Sequence, residues 1–467
     1  MNFAQWIFNQ NSHQLDKTAI VDNRTSLTYR ELQIHTWAYS QYLINRGCVP
    51  GDRAIISLDD CVEWVVIFLG CIAAGVNPVL VSNCLPKSTI EKISKIIGTS
   101  LIIDTTDNVL LHTDQPINFY EFKHNDPCFW LMSSGTTGEP KFVVHKHSDL
   151  QTLLELIAYP AYRVDNNSRI LSTAKLSFTY GFNNSLTFGL GKGATVFLNS
   201  GVLAAKKIFE KLSLHKITHF FTVPSVVRSM LQNGKDNKIS NTVTTMVSSG
   251  EALPLSIAMQ FETKHNIKIL DGLGMSEVMY NYCTQTEDNI ETGTIGQPIT
   301  GIECEIRDNH GNIIQDNGVV GELYVKHPCA ALYYWNDDYK TKSTFINGWV
   351  KTNDKVFRNL KGNYVYIARS DDLIKINGLY VSPVEIESKL LEINEISECA
   401  VISKHSDLGL LEIHAYITLN NDISNSKINN LLRLSLPAHK IPKYYHKIDS
   451  IPKSITGKIS RNSLKRR

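Results

Sequence analysis

The chain has 467 residues, of which 43% are hydrophobic and 20% charged, so it can bury a large core and is not intrinsically disordered. The 47 lysine and arginine residues nearly balance 45 acidic ones, and a net charge of +2 argues against a nucleic-acid-binding protein. Nine cysteines, an odd number without a C-x-x-C pair, argue against a disulfide scaffold or zinc finger and indicate a reducing compartment.

No targeting or membrane segment is expected. Residues 1–6 have neither the basic start nor the long apolar run of a signal peptide. The longest apolar run, 64–76, is shorter than the ~20 residues needed to cross a bilayer and follows Asp59, Asp60 and Glu63. We interpret this run as a buried helix and expect a soluble, cytoplasmic protein.

The first 290 residues alternate helical and strand patterns. Short β-branched runs at 53–58, 77–81 and 100–103 lie between helical segments, which is typical of an α/β fold with largely parallel sheets. The alternation continues with strands predicted at 194–198 and 219–223, and with helices at 203–214 and 224–232.

The pattern changes after about residue 290. Short alternating runs separated by Gly, Asn and Asp indicate antiparallel or barrel-like strands at 304–306, 322–325 and 364–367. Beyond residue 369 come strand signals at 399–403 and 411–418, and helix signals at 383–391 and 426–434. We therefore predict a large α/β N-terminal domain, 1–370, with helix-flanked parallel-rich sheets and a small barrel-like β part. A small α+β C-terminal domain, 371–467, is predicted to follow a short hinge.

The strongest local signal is a segment rich in hydroxyl groups and glycine, which follows an apolar run at 128–132. Glycines let a backbone approach an anion, and hydroxyl and ammonium groups donate to it, as a polyphosphate-binding loop requires. A Walker loop is absent, which disfavours a P-loop phosphotransferase, and a plain surface turn is the alternative. The candidate phosphate-binding residues are Ser133, Ser134, Gly135, Thr136, Thr137, Gly138 and Lys141.

This loop resembles the phosphate loop of the adenylate-forming (ANL) superfamily, which contains acyl-CoA synthetases, carrier-protein-loading adenylation domains and luciferases. Further segments resemble other motifs of the superfamily in the same order along the chain, at 27–32, 74–79, 272–277, 351–354, 369–375 and 452–461. The resemblance covers nearly the whole chain.

The resemblance implies a nucleotide site. Glu277, beside Ser276, matches the acidic residue that binds magnesium, and a carboxylate oxygen is a ligand that this ion prefers. Asp354 and Arg369 match residues that bind the ribose. Each of these charges, taken alone, could also be an ordinary surface ion. The segments expected beside the adenine and ribose contain Gly250, Glu251, Ala252, Asp271 and Gly272.

The resemblance also implies a mobile C-terminal domain. Lys458 matches the catalytic lysine that bridges the carboxylate and the α-phosphate, where a flexible point charge suits moving negative charge. Alone, it could be one more charge of a basic tail. The family rotates its small domain around a hinge that matches Asp371, and a loop containing Lys375 and Gly378 then replaces the lysine for thioester formation.

The acid is predicted to be aromatic. Amino-acid-activating members carry an aspartate where this chain has Thr179, so an α-amino acid would bury an unpaired ammonium group at a cost of several kcal/mol. Phe178, Tyr180 and Phe182 favour a flat apolar acid, although each could be a core residue. The segments resemble benzoate–CoA ligases most, with two departures: Asn353 for glycine and Tyr280 for histidine. The candidate acyl-pocket residues are Phe178, Thr179, Tyr180, Gly181, Gly274 and Tyr280.

We therefore predict an AMP-forming acid–thiol ligase that joins an aryl acid to CoA or to a phosphopantetheine arm, using ATP and Mg²⁺. The thiol acceptor, CoA or a carrier protein, and the identity of the acid are left open. The alternatives are a stand-alone adenylation enzyme that loads a non-aryl acid in natural-product biosynthesis, and a catalytically silent nucleotide-binding protein. We expect a monomer or homodimer without nucleic-acid or membrane partners.

Overall fold

The structure is a computed structural model that describes residues 1–107, 109–113, 115–134, 140–201, 203–234, 237–376, 379–406, 411–453 and 459–466. It has the predicted fold class, with two parallel-rich sheets, an antiparallel curled sheet and a small α+β part at the C-terminal end. Within the described ranges, no helix combines the length and apolar composition that crossing a bilayer requires.

The largest sheet has nine strands, and the six central strands run parallel to one another. Antiparallel strands close both edges. In spatial order the strands are Gln297–Pro298, Asn281–Thr284, Leu270–Gly274, Thr245–Ser249, His219–Thr222, Arg169–Ser172, Thr195–Phe197, Thr18–Val21 and Ser26–Thr28. The carboxyl ends of adjacent parallel strands meet at one edge, which is where α/β sheets bind ligands.

The second sheet has six strands, of which four are parallel and two antiparallel. Its order is Tyr333–Tyr334, Pro140–Lys146, Pro127–Ser134, Asn77–Leu80, Arg53–Ile56 and Ile102–Ile103. The helix Val62–Ala74 is buried along its whole length, and its side chains belong to a core that includes residues of both large sheets. The apolar run is therefore a buried helix, as the sequence predicts.

The third sheet is antiparallel. Its strands are Glu303–Arg307, Gly321–Lys326, Trp349–Arg358, Phe345–Ile346 and Tyr364–Arg369. Alternate side chains of the long strand Trp349–Arg358 are buried, so one face of this sheet packs on the core. The predicted barrel-like part of the fold lies here.

The C-terminal residues surround a separate hydrophobic core, whose buried side chains lie between Ile374 and Leu436. Three strands form its main sheet: Ile396–His405, Leu411–Leu419 and Tyr444–Lys447. A two-stranded ribbon, Ile374–Ile376 with Leu379–Val381, precedes them. The helices are Pro383–Leu391, Asn425–Arg433 and Arg461–Lys465. The exact domain boundary at residue 370 stays a prediction.

Helices cover the large sheets, and several begin at residues that cap them. Thr28 and Glu31 form a capping box at the start of Tyr29–Asn45, which satisfies backbone N–H groups that would otherwise lack partners. The other helices before residue 350 are Phe3–Gln10, Lys87–Ile97, Ser148–Leu153, Tyr159–Tyr162, Thr179–Phe182, Ala205–Leu214, Pro224–Asn233, Leu255–His265 and Asp338–Thr344. Two segments, Leu154–Ala158 and Asn183–Leu190, are π-helical.

Candidate active site

The predicted adenine segments lie side by side. Ser249 ends one parallel strand and is paired in register with Gly272 of the next, so Gly250, Glu251 and Ala252 leave the sheet beside Asp271. Gly250 has φ +90°, a conformation that favours glycine. A Cβ on Gly272 would lie 2.4 Å from Asn281 Nδ2, so a larger residue would force the Asn281 side chain to move. Burial raises the pKa of the Asp271 carboxyl well above its ordinary value.

The predicted phosphate loop joins two antiparallel strands, Pro127–Ser134 and Pro140–Lys146. Ser133 lies opposite Lys141 in the register of this pair, so the structure brings the two ends of the loop together. Gly135, Thr136, Thr137 and Gly138 fall outside the described residues, as does the side chain of Ser134. Phosphate binding by this loop stays a prediction.

Ser276 and Glu277 lie in a short 3-10 turn directly after the strand Leu270–Gly274. The hydroxyl of Tyr334 donates a hydrogen bond to Glu277 Oε1, at 2.5 Å, and the Ala331 N–H donates to the Glu277 carbonyl at 2.9 Å. Glu277 Oε2 has no hydrogen-bonding partner among the described residues. Among all the residues that the structure describes, no group of three or more His, Cys, Asp or Glu side chains is arranged to hold a metal.

Asp354 and Arg369 face each other across two paired strands. Asp354 is only 3% exposed and accepts a hydrogen bond from the Tyr282 hydroxyl at 2.9 Å. The Arg369 guanidinium lies 3.6 Å from the other carboxylate oxygen. Burial opposes the charged form of Arg369, but Asp354, together with Tyr366, Glu277 and Tyr282, holds the Arg369 pKa above its ordinary value.

Asn353, where the family usually has glycine, has φ +59°. This left-handed conformation favours glycine, and asparagine is one of the few other residues that adopt it readily. The substitution therefore keeps the left-handed conformation of this position, which lies within the strand Trp349–Arg358 directly before Asp354. What looked in the sequence like a departure from the family is conformationally conservative.

The acyl-pocket candidates Tyr180 and Tyr280 are stacked, with ring centroids 5.6 Å apart and an angle of 21° between the rings. The Tyr280 hydroxyl donates to Asn184 Oδ1, and the Tyr180 hydroxyl donates to the Val247 carbonyl at 3.1 Å. Phe188 meets the Tyr280 ring edge-on at 4.9 Å. Both tyrosine rings are thus fixed by their polar ends; Tyr280 is buried, and the half-buried Tyr180 is the partly exposed ring of the pair.

Two glycines of the predicted pocket are required by close backbone approach. A Cβ on Gly181 would lie 2.3 Å from the carbonyl oxygens of Ala174 and Lys175, and one on Gly274 would lie 2.4 Å from the Tyr280 carbonyl oxygen. Larger side chains at either position would push the pocket wall away from its present place.

Thr179 stands where amino-acid-activating members of the superfamily carry an aspartate, and its hydroxyl contacts another hydroxyl group. Thr179 Oγ1 lies 2.8 Å from Ser276 Oγ, so the predicted acyl pocket touches the turn that carries Glu277. Phe178 is half-buried next to it. Phe182, expected from the sequence to shape the pocket, packs instead in the core against Phe68 and Phe129, at 4.9 and 5.6 Å.

The carboxylates before the helix Val62–Ala74 already have partners within the protein. Asp59 accepts from the Lys175 ammonium group at 2.7 Å and from the Gly201 N–H at 2.6 Å, and Asp60 accepts from the Leu176 N–H at 2.9 Å. Burial raises the pKa of Asp60 to about 7. These contacts hold the segment that leads to Phe178, and they leave neither carboxylate free to pair with a substrate ammonium.

The proposed hinge residue Asp371 is exposed and lies in a turn in which the Asp372 and Leu373 N–H groups donate to the Arg369 carbonyl, both at 3.0 Å. Arg461 lies 3.5 Å from Asp372 and donates to both Glu387 oxygens, at 2.7 and 2.8 Å. Lys458, Gly378 and the side chain of Lys375 fall outside the described residues, so their predicted roles stay predictions.

Sequence reasoning missed four residues that the structure places around these candidates. Tyr282 and Tyr334 hold the two predicted nucleotide carboxylates, while Asn184 and Phe188 fix Tyr280. The aromatic or amide character of each was visible, but nothing in the local sequence distinguishes them from core residues.

Comparison with known proteins supports the family resemblance along most of the chain. The sequence pattern of the AMP-binding enzymes matches residues 7–335, and that of the AMP-binding enzyme C-terminal domain matches 385–458. A benzoate–CoA ligase of Thauera aromatica is 32% identical, over 96% of this chain and 92% of its own length. A 4-hydroxybenzoate–CoA/benzoate–CoA ligase of Rhodopseudomonas palustris is 29% identical, over 96% and 90%.

Two solved structures extend the similarity to three dimensions. A benzoate CoA ligase from Burkholderia xenovorans LB400 superposes with a TM-score of 0.90 at 31% identity, and all of both chains is covered. The anthranilate CoA ligase AuaEII, solved with anthranoyl-AMP, superposes with a TM-score of 0.93 at 26% identity, with 99% and 96% of the two chains covered.

Proposed function

Because the chain belongs to the family of AMP-binding enzymes, we propose that it is an acid–thiol ligase that activates an aryl carboxylic acid with ATP. In the first step a carboxylate oxygen attacks the α-phosphorus, which forms an acyl-adenylate and releases pyrophosphate. In the second step a thiol sulfur attacks the acyl carbonyl, which forms a thioester and releases AMP. The thiol proton passes to solvent.

The observation that carries the aryl assignment is the stacked pair Tyr180 and Tyr280 beside Thr179. A flat ring can lie against the half-buried Tyr180, which the buried Tyr280 supports from behind, with little loss of its own conformational freedom. An α-amino acid would need a counter-charge for its ammonium group. Thr179 supplies none, and the nearby Asp59 is already paired with Lys175. The ligases named above act on benzoate, hydroxybenzoate or anthranilate, which supports the same substrate class.

Nucleotide binding is proposed for the strand pair with Asp354 and Arg369. The Asp354 carboxylate accepts hydrogen bonds from the ribose hydroxyls, and the Arg369 guanidinium, 3.6 Å away, helps to hold this carboxylate in place. Tyr282 orients it from the other side. Because these partners are already assembled, little reorganisation is needed when the nucleotide binds.

ATP is used as its magnesium complex, with the metal entering as part of the substrate. Glu277 fits this role, since one of its oxygens is oriented by Tyr334 and the other has no hydrogen-bonding partner among the described side chains. Magnesium is often bound by one or two carboxylates together with substrate phosphates, so a large cluster of protein ligands is not required. When bound, the ion neutralises charge that develops on the phosphate oxygens.

Lys458 is proposed to act only in adenylation, where its charge stabilises the carboxylate and the α-phosphate as negative charge moves between them. Rotation of the C-terminal domain around Asp371 then removes the lysine and brings the segment of Lys375 and Gly378 to the thiol. Such a movement lets one site serve two chemically different steps.

CoA is the acceptor we propose, because the relatives are named as CoA ligases. A carrier protein with a phosphopantetheine arm has the same thiol. The test incubates the enzyme with benzoate, MgATP and either CoA or a purified loaded carrier protein, and follows thioester and AMP. We expect benzoyl-CoA and AMP in equal amounts. If thioester forms on the carrier protein and not on CoA, the acceptor is the carrier protein. If no AMP forms with any aryl acid, the proposed function is refuted.

A further inference from the structure

The turn that carries Ser276 and Glu277 has a strained backbone. Met279, at its end, has φ +71°. This left-handed conformation is adopted readily by glycine, asparagine and aspartate but is unfavourable for a large side chain such as methionine. Such a conformation persists only when surrounding contacts determine it. The position of the Glu277 carboxylate therefore depends on whatever holds this turn from outside.

Two fully buried side chains hold the turn by its carbonyl groups. His145 donates from Nε2 to the Ser276 carbonyl at 2.8 Å, since a carbonyl oxygen can only accept. Asn183 donates from Nδ2 to the Met279 carbonyl at 2.7 Å and to the Thr179 carbonyl at 2.9 Å. The first contact lies at the start of the turn and the second at its end.

His145 is itself held on three sides. Its Nδ1 lies 3.0 Å from Asp149 Oδ2, four residues along the chain, and both side chains are 0% exposed. Its ring stacks on Phe129, with centroids 5.3 Å apart and an angle of 11°. Asp149 also accepts from the Lys146 N–H at 3.3 Å. A side chain fixed in this way can transmit position, because no rotation is available to it.

The strand that carries His145, Pro140–Lys146, is also the strand that leaves the predicted phosphate loop. The hydrogen bond from His145 therefore joins the two parts of the chain proposed to meet the phosphates: the loop ending at Lys141 and the turn carrying Glu277. Through the contact of Ser276 with Thr179, the same turn also reaches the acyl pocket.

We propose that His145, oriented by Asp149, is a positioning residue for the phosphate side of the site. It touches no reacting atom; it holds the Ser276 carbonyl and thereby sets the place of the Glu277 carboxylate. The inference rests on the proposed role of Glu277 toward MgATP. It predicts that MgATP binding depends on a hydrogen-bond donor at the position of His145 Nε2.

The test compares two substitutions that differ in reach. His145→Gln places an amide N–H near the former Nε2 and can still donate to Ser276. His145→Asn keeps a polar group near Asp149 but is too short for Ser276. The matched control is His147→Gln, two residues away, because His147 accepts from the Phe3 N–H at 2.8 Å and stacks on Phe122, and neither contact involves the turn.

The primary measurement is the dissociation constant of MgATP by calorimetry, which requires no turnover, together with kcat and KM for pyrophosphate exchange with benzoate. We expect His145→Asn to weaken MgATP binding roughly tenfold and to lower kcat/KM for ATP by up to ~10²-fold, as a misplaced catalytic group does. The KM for benzoate should change less than the KM for MgATP. His145→Gln and His147→Gln should stay within about threefold of the unsubstituted protein on both measures.

The inference is overturned if His145→Asn binds MgATP normally while it unfolds at the same temperature, or if His145→Gln is impaired as strongly as His145→Asn. If His145→Asn proves unstable, Asn183→Ser tests the same idea at the other end of the turn and should weaken MgATP binding in the same way; normal binding by it would then overturn the inference. An unsubstituted protein that binds MgATP but exchanges pyrophosphate with no aryl acid would refute the proposed function and leave the binding comparison intact.

Discussion

The proposed ribose contact of Asp354 can be tested with one substitution and one modified nucleotide. In Asp354→Asn the side chain keeps its shape, and its amide oxygen can still accept from the Tyr282 hydroxyl, which is 2.9 Å from the carboxylate in the structure. The NH₂ group then faces Arg369 and the ribose, where the unsubstituted protein has an acceptor 3.6 Å from the guanidinium. At least one hydrogen bond to an ionised acceptor is therefore lost.

A hydrogen bond to a charged group contributes about 1.5–3 kcal/mol, which corresponds to roughly 10- to 150-fold in affinity. The assay measures KM for ATP and for 2′,3′-dideoxy-ATP in pyrophosphate exchange with benzoate. The unsubstituted protein should prefer ATP by about this factor. In Asp354→Asn the KM for ATP should rise by a similar factor, so that the preference nearly disappears.

The matched control is Glu322→Gln on the same antiparallel sheet, where Glu322 lies 3.4 Å from Lys351 and has no proposed nucleotide role. It should keep both KM values. If Asp354→Asn retains the full preference for ATP over the dideoxy nucleotide, with normal thermal unfolding, then Asp354 does not bind the ribose and the motif assignment is wrong.

Three further predictions concern the catalytic lysine, the pocket backbone and pH. Lys458→Ala should slow pyrophosphate exchange ~10²–10³-fold yet still transfer the benzoyl group of a supplied benzoyl-adenylate to CoA. Asp371→Pro should keep pyrophosphate exchange and lose thioester formation. Equal loss of both steps in Lys458→Ala would contradict domain alternation. Gly181→Ala should lower the free energy of unfolding by ~1–3 kcal/mol in denaturant, because its Cβ would lie 2.3 Å from two carbonyl oxygens, and an unchanged midpoint would refute this packing. Burial raises the pKa of Asp60 to about 7, so between pH 4 and 7 the folded protein keeps a proton that the unfolded chain has lost. Relative to Asp60→Asn, its unfolding free energy should therefore fall by on the order of 3 kcal/mol as pH rises from 4 to 7, and parallel pH curves would contradict this.

The local parts of the fold could be predicted from the sequence. Period-2 and helical patterns place the strands around 194–198 and 219–223 and the helix at 203–214 within two residues of Thr195–Phe197, His219–Thr222 and Ala205–Leu214. The buried helix was predictable because its apolar run is too short for a membrane and has no polar face. The order of strands in the sheets follows from distant pairings that no local pattern contains.

The candidate site divides in the same way. Glycine-rich segments and isolated charges could be matched to a family, but the partners that orient them could not. Tyr334 is 57 residues from Glu277, and His145 is 131 residues from Ser276, so only the folded chain brings them together. Phe182 shows the converse: the sequence left open whether this aromatic residue lines the pocket or belongs to the core, and it packs in the core, because residue type alone does not distinguish the two.

The central claim, activation of an aryl acid, is tested most directly by ATP–pyrophosphate exchange with paired acids of similar size. Benzoate, 4-hydroxybenzoate and anthranilate are compared with phenylalanine, phenylglycine and a short aliphatic acid at equal concentrations. The account predicts that at least one benzoate-like acid exceeds both amino acids by ~10²-fold or more in kcat/KM, because Thr179 offers no charge to pair with an ammonium group. Faster exchange with phenylalanine or phenylglycine than with every benzoate-like acid would contradict it.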